Sequence, residues 1–108
     1  MTTPLSGALH ELLTAHCAQE RNKELALALI TAANRGGTNR LTRYWGDDSG
    51  LRLTCESVVA DGDRVALRVT ARTERASWTL LGELRFDEAG GIVEYYDVLV
   101  PLGDGPGE

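Results

Sequence analysis

The side chains that could move protons are few and widely spaced along the chain. Tyr95 and Asp97 lie two residues apart in a segment with the period of a strand, so they share one face of it. A carboxylate beside a phenol can accept or donate a proton, and the phenol can polarise a carbonyl group. His16 offers an imidazole on an apolar stripe, where it is either a proton shuttle or a hydrogen-bonded core residue. These residues predict proton transfer as the chemistry.

Motifs for other chemistries are missing. The sequence contains no CxxC, HExxH, GxGxxG or P-loop pattern, so metal, nucleotide and phosphate sites have no support. We therefore expect no metal and no cofactor, since proton transfer needs only positioned donors and acceptors. The two cysteines, Cys17 and Cys55, are predicted to be buried small hydrophobes in a reducing compartment. A reactive thiol or a disulfide is the alternative for them.

Size and charge restrict the partners. A chain of 108 residues and 11.7 kDa is one domain, and 43% hydrophobic with 25% charged residues is ordinary for a globular protein. The net charge of -5 disfavours nucleic acid and anionic membranes as partners. No apolar run approaches the roughly 20 residues of a membrane span, and no secretion signal is evident. A cytoplasmic location is the expectation.

Helical spacing dominates the first third of the chain. Thr3 and Pro4 are a start signal, followed by one apolar stripe made of Leu5, Leu9, Leu12, Leu13 and His16. A polar run at 19–23 separates it from a second stripe at 25–33, which leaves open two helices or one bent helix. Gly36 and Gly37 stop the segment. Thr38 is the predicted cap of a short third helix that carries Leu41, Tyr44 and Trp45.

From Leu51 onward the period changes to two, which predicts four strands. The apolar positions of the first are Leu51, Leu53, Cys55, Ser57 and Val59, followed by a hairpin turn at 61–62. The next two strands place on one face Val65, Leu67, Val69, Ala71, Trp78, Leu80, Gly82, Leu84 and Phe86. The last strand is 92–100. We predict an α+β fold, with N-terminal helices packed on a curved four-stranded antiparallel sheet, a single domain over 1–102 and a flexible tail at 103–108.

Charged residues alternate with this apolar face. Arg68 and Arg72 therefore point outward. They are expected to form cross-strand charge pairs on the outer face, together with Glu56, Glu83, Arg85 and Glu94. That surface is predicted to be either a dimer interface or a solvated face.

Three segments carry a family resemblance. Residues 59–69 resemble the central hairpin, and residues 84–98 the final hairpin, of the nuclear transport factor 2-like superfamily, specifically its SnoaL-like polyketide cyclase branch. Residues 37–45 resemble the short helix that precedes the long strands there. The resemblance implies a cone whose concave face holds a small-molecule pocket, and a homodimer formed through the outer face of the sheet.

The same resemblance assigns a site. In ketosteroid isomerase relatives the odd positions of the last strand line the cavity, which would place Asp97 beside Tyr95 in an apolar cone. Desolvation there would raise the pKa of Asp97 towards neutrality. Asp97, Tyr95 and His16 are then the candidate catalytic residues, with a purely structural Asp97 as the alternative. The candidate substrate-binding residues are Trp45, Trp78, Leu84, Phe86, Leu67 and Leu99, for which core packing is the alternative.

The chain departs from its relatives between the helices and the strands. Relatives carry a short strand there, often with an acidic general base, whereas no Asp or Glu lies between Glu24 and Asp47 here. An isomerase that depends on that base is therefore rejected. Without this strand the cone would be shallow. Alternatively, an exchange of segments between subunits would supply a replacement for the strand.

The predicted function is that of a SnoaL-like cyclase or isomerase. It would move a proton next to a carbonyl of a small apolar or aromatic, polyketide-like substrate. The alternative is a non-catalytic small-molecule-binding or dimerisation module of the same fold. A limonene-type epoxide hydrolase, which would use Arg68 or Arg72 inside the cone, is opposed by the outward parity of both arginines.

Overall fold

The chain folds as one long helix followed by a meander of strands. The computed structural model describes residues 4–46 and 50–102. Its elements are α1 (Pro4–Asn34), a 3₁₀ helix (Arg40–Thr42), β1 (Arg52–Asp61), β2 (Arg64–Arg72), β3 (Ser77–Phe86) and β4 (Ile92–Pro101). The strands form one four-stranded sheet in the order β1-β2-β3-β4, each antiparallel to the next. The predicted α+β fold class is confirmed.

The helical region is one continuous helix. Residues 19–23 are polar but include neither glycine nor proline, so no backbone feature interrupts the helix there. Arg21 fastens α1 to the turn between β3 and β4: its Nη1 donates to the carbonyl of Glu88 at 2.7 Å and its Nη2 to that of Asp87 at 3.2 Å. Asn22, beside it, is buried.

Only the second half of α1 packs against the sheet. Ala26, Ile30 and Ala33 are buried there. Near the end of the helix, the side-chain amide of Asn34 exchanges two hydrogen bonds of 2.8 Å with the backbone of Leu53 in β1. These contacts fix the direction in which the helix leaves the sheet.

The first half of α1 lies apart from the sheet. Leu9, Leu12 and Leu13 are 53%, 66% and 64% exposed, and His16 is exposed as well. A straight helix of 31 residues is about 46 Å long at about 1.5 Å per residue. A ten-residue strand spans only about 33 Å. The expectation that this stripe faces the sheet is therefore wrong.

The third helix, which lies in the connection from α1 to the sheet, is shorter than predicted. Gly36, just after the helix, has φ of 94°, as expected of a glycine that ends a helix. The predicted third helix is a single 3₁₀ turn, capped by Asn39 and not by Thr38. Within the described residues 35–39 there is no strand, in agreement with the departure inferred from the sequence.

The two central strands alternate as predicted. The buried residues on the helix-covered face of β2 are Val65, Leu67, Val69 and Ala71, and those of β3 are Leu80, Gly82, Leu84 and Phe86. Arg68 and Arg72 are exposed on the opposite face. Two cross-strand ion pairs lie on that outer face, Arg64 with Glu83 at 2.9 Å and Arg85 with Glu94 at 2.7 Å.

A bulge in β1 reverses its second half. The pairing register shifts between Cys55 and Ser57, so Val58 packs against the core while Val59 is 60% exposed. The strict alternation predicted through Ser57 and Val59 is therefore wrong. An extra residue on one strand moves every following side chain to the other face.

A second irregularity lies at the start of β4. Arg85 pairs with Glu94, but Phe86 pairs with Ile92, so one residue of β4 is left over. Ile92 consequently packs against the core, and Val93 is 46% exposed. Simple alternation with the odd positions facing the cavity predicts the opposite, with Val93 facing inward and Ile92 facing outward.

The two cysteines differ in exposure. Both cysteines are free thiols; Cys55 is partly buried, but Cys17 is exposed, so burial was wrong for Cys17. No helix among the described residues is long and apolar enough to cross a membrane. Thr3 of the predicted start signal and the predicted flexible tail at 103–108 lie outside the described residues.

Candidate functional site

Asp97 lies on the covered face of β4 with its side chain fully shielded. The side chain of Asp97 has 0% exposure, which agrees with the parity predicted for the last strand. Its cross-strand neighbour in β3 is Gly82. Since glycine carries no side chain, the Tyr95 ring fits over this position; a Cβ at Gly82 would lie 3.5 Å from Tyr95 Cε1. The glycine thus makes room for the phenol beside the carboxylate.

Three donors surround the carboxylate. Tyr95 Oη donates to Asp97 Oδ2 at 2.6 Å. Tyr44 Oη donates to Asp97 Oδ1 at 2.6 Å, and Arg43 Nη2 donates to the same oxygen at 2.7 Å. The Arg43 guanidinium also lies 4.8 Å from the centre of the Tyr44 ring. We call Asp97, Tyr95, Tyr44 and Arg43 the carboxylate cluster.

The pKa of Asp97 is lowered, opposite to the sequence prediction. Desolvation by burial raises it, as expected, but hydrogen bonds from Tyr44, Tyr95 and Arg43 and the positive charge of Arg43 outweigh that effect. Each donor stabilises the ionised form. Asp97 is therefore an anion at neutral pH, and it can accept a proton but has none to donate.

The pKa values of Tyr95 and Arg43 are both raised. Desolvation raises the pKa of the Tyr95 phenol, and its hydrogen bond to the Asp97 anion raises it further. Hydrogen bonds to Tyr44 and Asp97 raise the pKa of the Arg43 guanidinium. At neutral pH the cluster thus pairs one carboxylate with one cation and a protonated phenol.

The 3₁₀ turn positions Arg43 and Tyr44. Asn39 Oδ1 accepts from the backbone N–H of Leu41 at 2.9 Å, and Thr42 Oγ1 accepts from the backbone N–H of Asn39 at 3.0 Å. Asn39 Nδ2 donates to the carbonyl of Leu29 in α1 at 2.9 Å. Leu41 and Thr42 are buried. This anchoring sets the two residues that follow, Arg43 and Tyr44, against β4.

Arg43 was missed by the sequence reasoning, and Tyr44 was named as a residue of the short third helix. Their contact with Asp97 spans more than 50 positions of the chain, so no local spacing indicates it. The available signal was the stretch at 37–45 that resembles a family helix next to the strands.

The predicted aromatic residues are brought together at the same end of the sheet. Trp45 and Trp78 make an edge-to-face contact with ring centres 5.4 Å apart and planes at 64°. Tyr44 meets Trp45 in a similar arrangement at 5.8 Å. Both tryptophans are partly buried against the core. Trp45 therefore contacts both Tyr44 and Trp78, and a role of the tryptophans in binding a substrate remains a prediction.

The aliphatic candidates lie in or against the core. Leu67, Leu84 and Phe86 are buried members of the main hydrophobic cluster, and Leu99 packs against it. His16 lies on the exposed first half of α1 and contacts no member of the carboxylate cluster among the described interactions. Of the three predicted catalytic residues, the structure brings together Asp97 and Tyr95 only.

A cleft opens beside the carboxylate cluster. Its volume is about 430 Å³, and it is lined by Asn39, Arg40, Arg43, Ile92, Val93, Glu94 and Tyr95. We call it the Arg40 cleft. Glu94 is held by Arg85 at 2.7 Å, and that hydrogen bond lowers the pKa of Glu94. Arg43 and Tyr95 belong to both the cleft and the cluster, so a molecule bound here would lie within reach of the proton-handling groups.

Comparison with known proteins supports the fold. No protein-family model matches the chain, and no match is found among curated proteins. Among solved structures the chain resembles AclR from Streptomyces galilaeus, a protein provisionally described as a hydroxylase. The two are 27% identical with a TM-score of 0.61, over 76% of this chain and 80% of AclR. The likeness indicates a related fold, and the resemblance to the SnoaL-like branch remains a prediction.

Proposed function

We propose that this chain is an enzyme that binds a small carbonyl compound in the Arg40 cleft and moves a proton next to the carbonyl. The observation that carries the proposal is the fully shielded Asp97 anion, joined by Tyr95 and Arg43 to the wall of the cleft. A likeness to AclR, itself provisionally described as a hydroxylase, supports an enzyme of this fold. The finer assignment, a SnoaL-like cyclase or isomerase with a polyketide-like substrate, belongs to the same proposal.

The cluster suggests how the proton would move. The C–H bond next to the substrate carbonyl breaks, and its proton passes to Tyr95 Oη while the phenolic proton passes to Asp97 Oδ2. The bonding electrons move onto the carbonyl oxygen as an enolate, which Arg43 stabilises from the cleft wall. Return of the proton to another carbon gives an isomer. Attack of the enolate carbon on a second carbonyl closes a ring, and the alkoxide formed from that carbonyl takes a proton from Tyr95 as Asp97 returns its own to Tyr95.

The lowered pKa of Asp97 limits the substrate. A carboxylate with a low pKa is a weak base, so it can deprotonate only a carbon whose anion is well stabilised. A carbon between two carbonyl groups meets that requirement because its charge spreads over two oxygens. We therefore propose 1,3-dicarbonyl compounds as the first substrates to test.

Solvent exchange measures this step directly. The wild type is expected to speed deuterium incorporation between the carbonyls of an acyclic 1,3-dicarbonyl ester that is un-ionised at the pH of the assay, followed by NMR in deuterated buffer. Asp97→Asn removes the proton acceptor and is expected to slow the exchange by about 10²-fold or more. Glu74→Gln, at an exposed turn position, removes one acidic charge elsewhere and serves as the matched control. Equal exchange rates for wild type and Asp97→Asn would exclude Asp97 from the chemistry.

A binding module without chemistry is the second candidate. Both oxygens of Asp97 already accept hydrogen bonds, and the sheet interior is filled by Leu80, Leu84 and Phe86. A shielded, fully bonded carboxylate is also what a structural role produces. Ligand binding to the wild type with no acceleration of exchange for any tested dicarbonyl would favour this module over the enzyme.

We further propose that the outer face of the sheet joins two copies of the chain. Its exposed apolar residues are Leu81, Tyr96, Val98 and Val100. Leu81 and Val98 are cross-strand neighbours, so they form one continuous patch of the kind that marks interfaces. Sedimentation should give a dimer for the wild type and a monomer for Val98→Glu. A monomeric wild type at high micromolar concentration would contradict the proposal.

A further inference from the structure

The Arg40 cleft has an excess of positive charge. Asp97 balances Arg43 at 2.7 Å, and Arg85 balances Glu94 at 2.7 Å. The exposed Arg40 makes no side-chain hydrogen bond or ion pair with any other residue that the structure describes. Among the described residues, the positive charge of Arg40 is therefore not balanced by an ion pair in the cleft, although the whole chain carries a net charge of -5.

Arg43 keeps donors that can face a ligand. Its bonds to Asp97 and Tyr44 both use Nη2, and its side chain is 58% exposed. A guanidinium carries five N–H donors, and in the described contacts those on Nε and Nη1 remain for a second acceptor. Arg40 and Arg43 together can hold an anion whose charge is shared by two oxygens.

The lining of the cleft also includes apolar side chains. The irregularity at the start of β4 leaves Val93 46% exposed, next to Ile92 and the Tyr95 ring in the lining. A volume of about 430 Å³ lies within the range of about 300–1,000 Å³ found for small-molecule sites. The body of the ligand is thus one or two rings in size.

We infer that the Arg40 cleft selects small organic anions whose charge is spread over two oxygens, with Arg40 and Arg43 on the oxygens and Val93 under an apolar ring. Carboxylates and the enolates of 1,3-dicarbonyl compounds share this chemistry. The inference rests on the proposed function in placing the ligand at this site, and it adds the class of anion that the site holds, which for a 1,3-dicarbonyl substrate is the enolate formed when the proton is removed.

Paired probes of equal shape test the charge requirement. 2-Naphthoate carries the two-oxygen anion, and 2-naphthamide is its neutral counterpart; binding of each is measured by calorimetry and by backbone amide NMR shifts. We expect the anion to bind about tenfold more tightly than the amide or better, because a hydrogen bond to a charged group is worth more than a neutral one. The affinity should fall as salt is added.

Two arginine variants locate the binding. Arg40→Gln is expected to weaken 2-naphthoate binding about tenfold and to leave 2-naphthamide unchanged. Arg75→Gln, at an exposed position in the turn between β2 and β3, removes the same charge away from the cleft and should leave both affinities unchanged. Equal affinities for the two probes, equal effects of the two variants, or no binding of 2-naphthoate at millimolar concentration would each overturn the inference.

The outcomes separate this inference from the proposed function. Selective binding of the anion without accelerated deuterium exchange would retain the ligand class and reject the enzyme. Exchange catalysed on neutral ketones and insensitive to Arg40→Gln would retain the enzyme and reject the ligand class.

Discussion

Replacement of Asp97 by two different residues separates the loss of its charge from the loss of its hydrogen bonds. Asp97→Ala removes the only acceptor of the Tyr95 hydroxyl in the described contacts and leaves a half-buried phenol unpaired. Asp97→Asn keeps the size and shape of the side chain and removes its charge. Its Oδ1 still accepts from Arg43 and Tyr44, and the Tyr95 hydroxyl can rotate to accept from the new amide. We expect Asp97→Ala to be clearly the less stable of the two.

The size of the stability loss in Asp97→Ala depends on which of the three donors can form a hydrogen bond to water instead. Arg43 and Tyr44 are exposed, so solvent replaces their lost bonds and they add little. Tyr95 is only partly exposed, so water entering through the cleft replaces its lost bond in part, and leaving the hydroxyl without its acceptor costs about 1–2 kcal/mol. In a domain of this size that lowers Tm by about 4–16 °C. Asp97→Asn should lower the free energy of unfolding by less than about 1 kcal/mol.

Thermal unfolding followed by circular dichroism at pH 7 measures both variants. A double-mutant cycle with Tyr95→Phe provides the control, because the cost of Asp97→Ala should fall to a small remainder once the phenol is gone. Equal Tm values for the Ala and Asn variants would refute the reasoning, since they would mean that the hydrogen bond to Tyr95 contributes nothing to stability.

Three further outcomes follow from the same cluster. Because the folded-state pKa of Asp97 is depressed, its contribution to stability is present above the unfolded pKa of about 4 and is lost as the pH falls. The Tm difference between wild type and Asp97→Asn should therefore shrink between pH 7 and pH 3. Because the folded-state pKa of Tyr95 is raised, its phenol stays neutral above pH of about 10, where an unfolded tyrosine ionises. The contribution of Tyr95 to stability is present below that pH and is lost as the pH rises. Ultraviolet titration of wild type against Tyr95→Phe should show this late ionisation, and a Tyr95 signal at the ordinary pKa would contradict it. Gly82→Val should displace the Tyr95 ring and abolish the late ionisation, whereas Gly82→Ala, whose Cβ makes ordinary contact at 3.5 Å, should retain it.

The central strands were the most predictable part of the fold. Val65, Leu67 and Val69 alternate with polar residues because one face is buried and the other is wet, and this pattern depends only on local sequence. The inward direction of Asp97 followed from the same parity, together with the family resemblance. The polar run at 19–23 was a weaker indicator of where a helix ends. It contains good helix formers and no helix breaker, so polarity alone did not decide between one helix and two.

The bulges and the donors of Asp97 could not be predicted in the same way. A bulge depends on how a strand registers with its neighbour, and nothing local to Val59 or Val93 records it. The pKa of Asp97 was predicted in the wrong direction for a related reason. Burial is readable from the pattern of apolar residues, but the compensating donors Arg43 and Tyr44 come from a distant turn.

The free first half of α1 has a consequence for any measurement of stability. Helical segments of this length are marginal in water without tertiary contacts, and residues 7–17 are all exposed. Their amide hydrogens should exchange with solvent long before those of β2 and β3. A melting curve of the whole chain accordingly reports the cooperative unit formed by the sheet and the second half of the helix, while the leading turns fray and re-form independently of it.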